Sequence, residues 1–345
     1  HPWVDGADGA AVRIAMTVGT MDSVEGRLLS VSDEREGKGE GLDVILQEQV
    51  GLLHADLRVG GNVAAAQALL ANGGLTGRGF QLIGAGFIVT PEEAERLEAD
   101  APVKPYRNGR DLTDRPRGVL LIDLFGLSVE EARSRYTATY QWVLDRVKPE
   151  RDAKAGTPDG AAYARLWWLH GKPRQDLRKM LIGLPRYIAT VETAKHRAFQ
   201  FLDAGMAPDN MLVCLASADA LHLGVLSSCV HVVWALAAGG TLEDRPRYNK
   251  SRCFEPFPFP VATPEQATRI RDLAEQLDAH RKRQQVAHAS LTLTGMYNVL
   301  EKLRSGEALN AKEKAIHEQG LVSVLKTLHE ELDAAVLDAY GWGDL

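Results

Sequence analysis

The sequence is poor in the features that mark several common protein classes. Its 345 residues include three cysteines, Cys214, Cys229 and Cys253, and no two of them form a Cys-x-x-Cys pair. This number and spacing argue against a disulfide framework and against a structural zinc site. The apolar runs are too short and too interrupted to span a bilayer, so no membrane association is expected. No signal peptide precedes the first folded-looking residues, which makes a reducing cytoplasm the default expectation.

The sequence also lacks the short motifs that would indicate catalysis. It contains no Gly-x-Ser-x-Gly elbow, no His-Glu-x-x-His pair and no phosphate-binding loop. We therefore expect neither catalytic nor metal-binding residues in this chain. A small-molecule hydrolase that uses Asp123 and His170 is the weakest hypothesis, because no motif supports it.

Charge is distributed unevenly along the chain, whose net charge is −6. Residues 1–100 hold 7 Lys and Arg against 16 Asp and Glu, residues 101–260 hold 23 against 17, and residues 261–345 hold 10 against 13. The basic middle predicts a face that binds a polyanion, since a phosphate backbone responds to local rather than net charge. A solvated helix face explains the charge alone about as well.

Three segments of this middle part combine Lys and Arg with Tyr, Trp or Asn in turn-rich contexts: residues 104–117, 165–197 and 243–252. Basic side chains on loops can hold a DNA backbone, and one or two in each segment could contact base edges. Each phosphate contact should add about −0.9 to the salt dependence of binding. The backbone-contact candidates are Lys104, Arg107, Arg110, Lys172, Arg174, Arg178, Lys179, Lys195 and Arg197.

Residues 239–260 join a glycine break, a basic loop and an alternation of Phe and Pro. Each Pro lacks an N–H donor and fixes its φ, so the Phe/Pro run cannot be a central helix or strand. We predict that it forms a stiff, apolar strap, here called the Phe/Pro strap (residues 254–260). A solvated loop followed by a domain linker is the alternative.

The hydrophobic patterns predict an α+β fold. Strand patterns occur at residues 11–18, 26–32, 119–126, 185–192 and 211–217, and a short apolar segment at 42–50. Thr90 and Ser128 each precede a helix with Glu three residues later, as in a capping box. The predicted helices cover residues 62–70, 128–147, 175–183, 218–238, 293–303 and 311–337, with another beginning at Thr263.

Two smaller features also have structural interpretations. Gly84-Ala85-Gly86 lies in an apolar strand pattern and indicates a bulge or a close approach of two backbones. His222 and His231 lie on or near the apolar helix 218–238, where a core position is the better interpretation than a ligand position.

Several stretches, taken in order, resemble one family, the MmeI-like type IIG restriction–modification enzymes. Residues 104–136, 140–152, 167–203 and 224–260 are similar to the target-recognition domain of that family. The closing helices, which end in AVLDAYGW at residues 335–342, are similar to its C-terminal helical domain. The resemblance covers about residues 55–345.

The resemblance implies a longer parent protein. Such enzymes carry a methyltransferase domain that binds S-adenosylmethionine, often with a nuclease before it, upstream of the recognition domain. Residues 1–55 resemble only the last strands of that domain. The Asn-Pro-Pro-aromatic loop that holds a flipped adenine is absent, so no catalytic residue carries over. The base-reading positions that the resemblance implies are Glu243, Arg245, Arg247, Asn249, Lys250 and Arg252.

Together these observations predict a mixed α/β DNA target-recognition domain at residues 56–260 and an all-α C-terminal domain at residues 261–345, after residual strands at 1–55. The expected partners are double-stranded DNA and the upstream methyltransferase domain of the parent chain. No cofactor is expected in this fragment, which should be inactive. The parent is expected to be a cytoplasmic, S-adenosylmethionine-dependent adenine-N6 DNA methyltransferase with a possible endonuclease. The alternative is a protein–protein module with a helical docking tail and no DNA binding.

Overall fold

A computed structural model describes residues 2–3, 12–13, 16–19, 21, 25–36, 42–54, 57–242 and 245–344. The chain forms two compact units, His1–Ala66 and Gln67–Leu345. The smaller unit has two antiparallel pairs, β1 (Pro2–Trp3) with β2 (Val12–Arg13) and β3 (Gly26–Glu36) with β4 (Leu42–Gly51). β3 confirms the strand predicted at 26–32. Of the strand predicted at 11–18, residues 12–13 are strand, 16–18 are not, and the others lie outside the described residues.

The larger unit contains two four-stranded sheets. Its strands are β5 (Thr76–Arg78), β6 (Ile88–Val89), β7 (Val103–Arg107), β8 (Leu120–Ile122), β9 (Arg186–Val191), β10 (Gln200–Asp203), β11 (Ala207–Pro208), β12 (Leu212–Leu215), β13 (Thr241–Leu242) and β14 (Arg245–Pro246). One sheet has the order β10-β9-β12-β5 and is antiparallel throughout. The other has the order β11-β7-β8-β6, in which β11 and β7 are parallel. β13 and β14 pair with each other in antiparallel orientation.

The helices of this unit lie between and after the strands. They are α1 (Pro91–Ala94), α2 (Gly109–Thr113), α3 (Val129–Arg135), α4 (Thr137–Arg146), α5 (Lys148–Ala153), α6 (Pro158–Arg165), α7 (Gln175–Leu181), α8 (Ala220–Ser227), α9 (Cys229–Gly239), α10 (Pro264–Ala287), α11 (Leu293–Ser305), α12 (Ala311–Gly320) and α13 (Val322–Tyr340). Capping boxes at Thr90 and Ser128 confirm the predicted starts of α1 and α3. The mixed α/β part followed by a helical C-terminal region confirms the predicted fold class.

Two predicted long helices are interrupted where packing redirects the chain. The apolar stretch 218–238 is divided at Ser228, whose buried hydroxyl donates to Val225 O at 2.7 Å and closes the end of α8. The stretch 311–337 is divided at Leu321, which adopts a left-handed φ of 44°. Within the described residues, no single helix is long and apolar enough to cross a membrane, although α8 and α9 would reach that length together across a 65° bend.

Two further helix predictions also needed correction. The stretch 128–147 is divided at Tyr136, which has φ −133° and ends α3. The helix predicted at residues 62–70 is wrong, because this stretch contains a single 3-10 turn, Val63–Ala65, and a second turn begins only at Leu70. Neither turn has a buried apolar residue, so no packing stabilises a longer helix there.

The glycines at 84 and 86 allow the close approach that the sequence indicates. A Cβ at Gly86 would lie 2.6 Å from Arg146 Cβ and 3.0 Å from Val147 Cγ2. The indole N–H of Trp142 donates to Gly86 O at 3.0 Å. The end of α4 therefore rests directly on this backbone.

The C-terminal helices share a core with the rest of the larger unit. α10 packs between α8 and α13. A Cβ at Gly224 of α8 would lie 2.5 Å from Ile270 Cγ2 of α10, so glycine permits this approach. Val225, Ile270 and Leu277 belong to one buried apolar cluster. The predicted domain boundaries after residues 55 and 260 stay predictions, and the chain on either side of residue 260 packs together.

The Phe/Pro strap is held in the core by side chains from distant parts of the chain. The amide of Asn72 donates to Phe254 O at 3.1 Å and to Phe257 O at 2.7 Å. Phe254 and Phe257 are almost fully buried, and the hydroxyl of Tyr340 donates to Pro258 O at 2.6 Å. The alternative of a solvated linker is therefore wrong for this stretch.

Candidate nucleic-acid interface

Residues 245–248 form an edge alongside the loop that follows β9. The N–H of Ala194 donates to Pro246 O at 3.3 Å, and the N–H of Tyr248 donates to Glu192 O at 2.6 Å. The Tyr248 side chain is buried and anchors the edge to the protein core. The chain that precedes the Phe/Pro strap is therefore fixed in position.

A cleft of about 540 Å³ opens beside this edge. Its walls come from α2, the loop after β9, the side chain of Arg245 and the start of α11. Each of the three basic segments of the sequence contributes one cation to it: Arg110, Lys195 and Arg245. We call it the three-cation cleft. The structure thus brings together one residue from each of three segments that are far apart in the chain.

The cations of the cleft differ in how much they are engaged. Arg110 and Arg245 are exposed, and no described side chain pairs with either. Lys195 Nζ donates to Asn298 Oδ1 at 2.7 Å and lies 3.4 Å from Glu301. Guanidinium groups present a planar fork of N–H donors that matches phosphate oxygens and the acceptor edge of guanine. The cleft therefore offers free donors at two positions at least.

The wall that carries Arg110 is held by hydrogen bonds to α2 and its C-terminal end. The hydroxyl of Thr294 donates to Thr113 O at 3.0 Å, and the amide of Gln285 donates to Asp114 O at 2.7 Å. Both donors lie on the C-terminal helical part of the chain. These bonds preorganise the wall, so little backbone rearrangement is needed for a ligand to meet Arg110.

Arg247, a predicted base-reading residue, is already paired within the protein. Its Nε and Nη2 donate to Glu192 Oε1 at 2.9 and 2.8 Å, and less than half of its side chain is exposed. The candidate Glu243 lies outside the described residues. Among the described base-reading candidates, Arg245 is therefore the one that faces the three-cation cleft.

The last part of the predicted loop forms a π-helical turn. Asn249 caps this turn, because its Oδ1 accepts from the N–H of Ser251 at 3.1 Å. Lys250 Nζ donates to Glu255 at 2.6 Å. Arg252 is exposed and makes no side-chain pair with a described residue. The base-reading roles of these residues stay predictions, and the geometry favours a capping role for Asn249.

Asp123 pairs with two of the predicted backbone-contact residues. Its carboxylate is buried and accepts from Lys104 Nζ at 2.9 Å and from both Nη atoms of Arg178 at 2.7 and 2.8 Å. The Arg178 guanidinium also lies 4.2 Å from the Phe80 ring and 4.4 Å from the Phe125 ring. Burial by itself raises the pKa of Asp123, but the bonds from Arg178 outweigh it and lower the pKa to about 2. We call these residues the Asp123 cluster.

In four further backbone-contact candidates the charged group is at least partly accessible to solvent. Lys172 and Lys179 are exposed, without a described side-chain partner. Arg107 donates to the preceding main-chain oxygen at 3.1 Å, and Arg174 Nε donates to Gly79 O at 3.1 Å. Because both arginines are only half-buried, each can offer donors to solvent or a ligand.

Arg197 is the exception among the candidates, because it is buried. Its guanidinium donates to Thr190 Oγ1 at 3.1 Å and to Pro246 O at 3.2 Å, and it lies 5.0 Å from the Tyr248 ring. Burial lowers its pKa to about 10. These contacts favour a structural role, in which Arg197 ties β9 to the 245–248 edge.

Asp123 and His170, the residues of the hydrolase hypothesis, are not arranged for catalysis. Asp123 is committed to its two cations, as described above. His170 is buried, its Nε2 lies 2.8 Å from Ile122 O, and burial lowers its pKa to about 4. Across the described residues, no group of three His, Cys, Asp or Glu side chains could hold a metal ion.

Of the two histidines of the apolar stretch, His231 occupies a core position, as the sequence indicates, and His222 is half-buried. His222 Nδ1 lies 2.7 Å from Ser217 Oγ, and burial lowers the pKa of its imidazole. His231 Nε2 lies 3.0 Å from the Tyr248 hydroxyl, and its ring stands edge-on to Phe257 at 4.3 Å. Burial lowers the pKa of His231 to about 3, so it is neutral at ordinary pH.

A second concavity, of about 580 Å³, lies along the first turns of α10. It is lined by Arg269 and by the acids Glu265 and Asp272. Its two acids outnumber its one cation, whereas the three-cation cleft has three cations against one lining acid, Asp114.

Two residues that adjoin Arg247 have no signal in the sequence. Arg78 lies in a glycine-rich strand and Glu192 at the end of β9, and both are far from Arg247 in the chain. Their ion pairs, Arg78–Glu192 and Arg247–Glu192, form only when β5, β9 and the 245–248 edge meet. No local sequence pattern could indicate them.

The family described as "MmeI, target recognition domain" matches residues 84–261, just over half of the chain. A solved structure of the "Type IIL restriction-modification enzyme MmeI in complex with DNA" has a TM-score of 0.68 and 19% sequence identity. The similarity covers 99% of this chain and 42% of that chain, so this chain spans about two fifths of the relative's length. No curated protein matches the chain.

Proposed function

Because the chain belongs to the MmeI target recognition domain family, we propose that it recognises a base sequence in double-stranded DNA. The observation that carries this proposal is the three-cation cleft. Arg110 and Arg245 face it without a described partner, and a fixed wall and edge surround them. Free guanidinium groups on a rigid frame are suited to read base edges, while peripheral lysines hold the backbone.

The finer proposal concerns the parent protein. We propose that this chain serves as the recognition part of an S-adenosylmethionine-dependent adenine-N6 methyltransferase of a restriction–modification system. The solved relative is described as Type IIL, whereas the motif resemblance is to type IIG enzymes. Both descriptions share restriction–modification. The methyltransferase activity, its cofactor and a cytoplasmic location are proposed for the parent only.

DNA binding by the 345-residue chain tests the first proposal. Fluorescence anisotropy with a pool of random duplexes should show binding that weakens steeply from about 50 to about 200 mM salt, because each phosphate contact releases counterions. Selection of the bound duplexes should then yield an enriched sequence. Absence of DNA binding, together with a defined oligomer in light scattering, would instead favour the protein–protein alternative.

A methylation assay tests the second proposal. The chain, supplied with radiolabelled S-adenosylmethionine and the selected duplex, is expected to transfer no label, because it lacks the Asn-Pro-Pro-aromatic loop. The full-length parent is expected to label adenine in the same duplex. Label transfer by the chain alone would overturn the proposal that this chain recognises DNA and that another part of the parent methylates it.

A further inference from the structure

Glu192 is a buried carboxylate held between two arginines. Its Oε1 accepts from Nε and Nη2 of Arg247 at 2.9 and 2.8 Å, and its Oε2 pairs with Nη2 of Arg78. Its main chain is also fixed, because its N–H donates to Met211 O at 2.8 Å. Both arginine side chains remain partly open to solvent, with 37% of Arg78 and 44% of Arg247 exposed.

A third arginine stands beside this pair. Arg174 has a left-handed φ of 53° and donates from Nε to Gly79 O at 3.1 Å, next to Arg78 in β5. This conformation is unfavourable for a residue other than glycine, so the surrounding structure must hold it in place. Burial, followed by the charges of Arg174 and Arg247, lowers the pKa of Arg78.

The charges of this arginine cluster (Arg78, Arg174 and Arg247 around Glu192) do not balance. Three guanidinium groups meet one carboxylate, and no second carboxylate among the described residues forms an ion pair with any of them. The nearby Asp209 accepts from Tyr106 and from the main chain instead. Nη1 of Arg247, Nε and Nη1 of Arg78, and both Nη atoms of Arg174 have no described partner. The cluster therefore has an excess of positive charge and free N–H donors, which together suit an anionic ligand.

We propose that Arg78, Arg174 and Arg247 bind one phosphate group, with Glu192 holding Arg78 and Arg247 in position. Arginine matches phosphate oxygens with paired N–H donors, and such bonds are strong because both partners are charged. If the proposed function holds, on which this step rests, the phosphate belongs to the DNA backbone. Arg247 then fixes the register of the duplex, while Arg245, two residues earlier, faces the three-cation cleft and the bases.

Inorganic phosphate is the first probe, because it tests the site without DNA. Binding is followed by the rise in melting temperature with phosphate concentration, against sodium chloride at equal ionic strength. Arg174→Met is the main variant, since Arg174 does not pair with Glu192 and its removal leaves the buried carboxylate neutralised. We expect its affinity for phosphate to be about 10-fold or more below that of the unchanged chain, as for loss of one charge-assisted contact.

Two further variants make this test specific. Arg133→Met removes an exposed arginine on α3, outside the cluster, and should leave the response to phosphate unchanged. Glu192→Gln removes the one carboxylate that pairs with the cluster among the described residues, so the melting temperature of this variant should fall in chloride. It should recover in phosphate, which supplies the missing negative charge. An equal response of Arg174→Met and the unchanged chain, or no recovery of Glu192→Gln, would overturn the proposal.

A duplex with single neutral methylphosphonate linkages identifies the source of the phosphate. One linkage should weaken binding to the unchanged chain and have no effect on Arg174→Met, whose salt dependence should also be smaller by about one phosphate contact. If Arg174→Met loses phosphate affinity but binds DNA unchanged, the site binds a free phosphate-bearing ligand, and the phosphate chemistry stands. If the unchanged chain binds no DNA, the proposed function fails, while the phosphate titration still decides this inference.

Discussion

The Asp123 cluster and the three-cation cleft contain similar side chains in opposite states. Lys104 and Arg178 both pair with one buried carboxylate, at 2.9 and 2.7 Å. In the cleft, Arg110 and Arg245 are exposed and lack a described partner. The number of cations in a segment thus does not measure the charge that a ligand can use. What matters is whether the fold brings a carboxylate to each cation.

The largest expected effect follows from breaking the Asp123 cluster. Asp123→Asn removes the charge that neutralises Arg178, whose side chain is only 15% exposed. The free energy of unfolding should fall by about 3 kcal/mol, because a buried cation is left without its partner. Urea denaturation measures it. Asp152→Asn, which breaks the exposed pair with Lys148, is the control and should cost less than about 0.5 kcal/mol. Similar losses for both variants would contradict the comparison.

Acid should reveal the same cluster without a mutation. The pKa of Asp123 is lowered in the folded protein from 3.8 to about 2. Its contribution to stability is therefore complete above about pH 4 and is lost as the pH falls towards about 2, with a size of about 2 kcal/mol. Urea denaturation across this range should show that the difference in unfolding free energy between the unchanged chain and Asp123→Asn shrinks by that amount. A free-energy difference that stays constant with pH would show that Asp123 does not titrate in this way.

In the cleft, loss of a cation should change recognition and leave stability intact. Arg245→Ala should reduce discrimination between the selected duplex and single-base variants by about 10- to 100-fold, as for loss of one base contact. Its unfolding free energy should not change, since Arg245 is exposed and unpaired among the described residues. Competition anisotropy provides the measurement, with Arg133→Ala as the matched control. An equal loss for every duplex would assign Arg245 to the backbone instead.

The smallest effect is expected at an exposed cation outside both sites. Lys179 lies on α7 and makes no described side-chain pair. Lys179→Ala should weaken binding to all duplexes alike by about 1 kcal/mol or less and reduce the salt slope by about one contact. Anisotropy titrations at several salt concentrations measure both. A change in sequence preference would contradict a backbone role.

Local patterns predicted where helices begin better than where they break. The capping boxes at Thr90 and Ser128 involve residues three positions apart, so the sequence contains the whole interaction. The break at Ser228 depends on distant contacts, because the N–H of Cys229 donates to Asp333 on α13 at 2.7 Å. A helix period cannot show such a partner, so the apolar stretch 218–238 predicts one helix where the fold has two.

The candidate site shows the same limit. The composition of residues 243–252 indicates a polar recognition loop, but it does not distinguish Arg245 from Arg247. The difference lies in Glu192, which pairs with Arg247 and with Arg78. Both ion pairs link residues that are remote in the chain and adjacent in space.

By itself, the sequence determined the family, the fold class, the helix starts at Thr90 and Ser128, and the Phe/Pro strap, because each depends on residue order or short-range geometry. The tertiary structure alone decided which basic side chains remain available to a ligand. Electrostatic interactions and burial depend on distances in space, and the fold places Asp123 beside Lys104 and Arg178 and leaves Arg110 and Arg245 open.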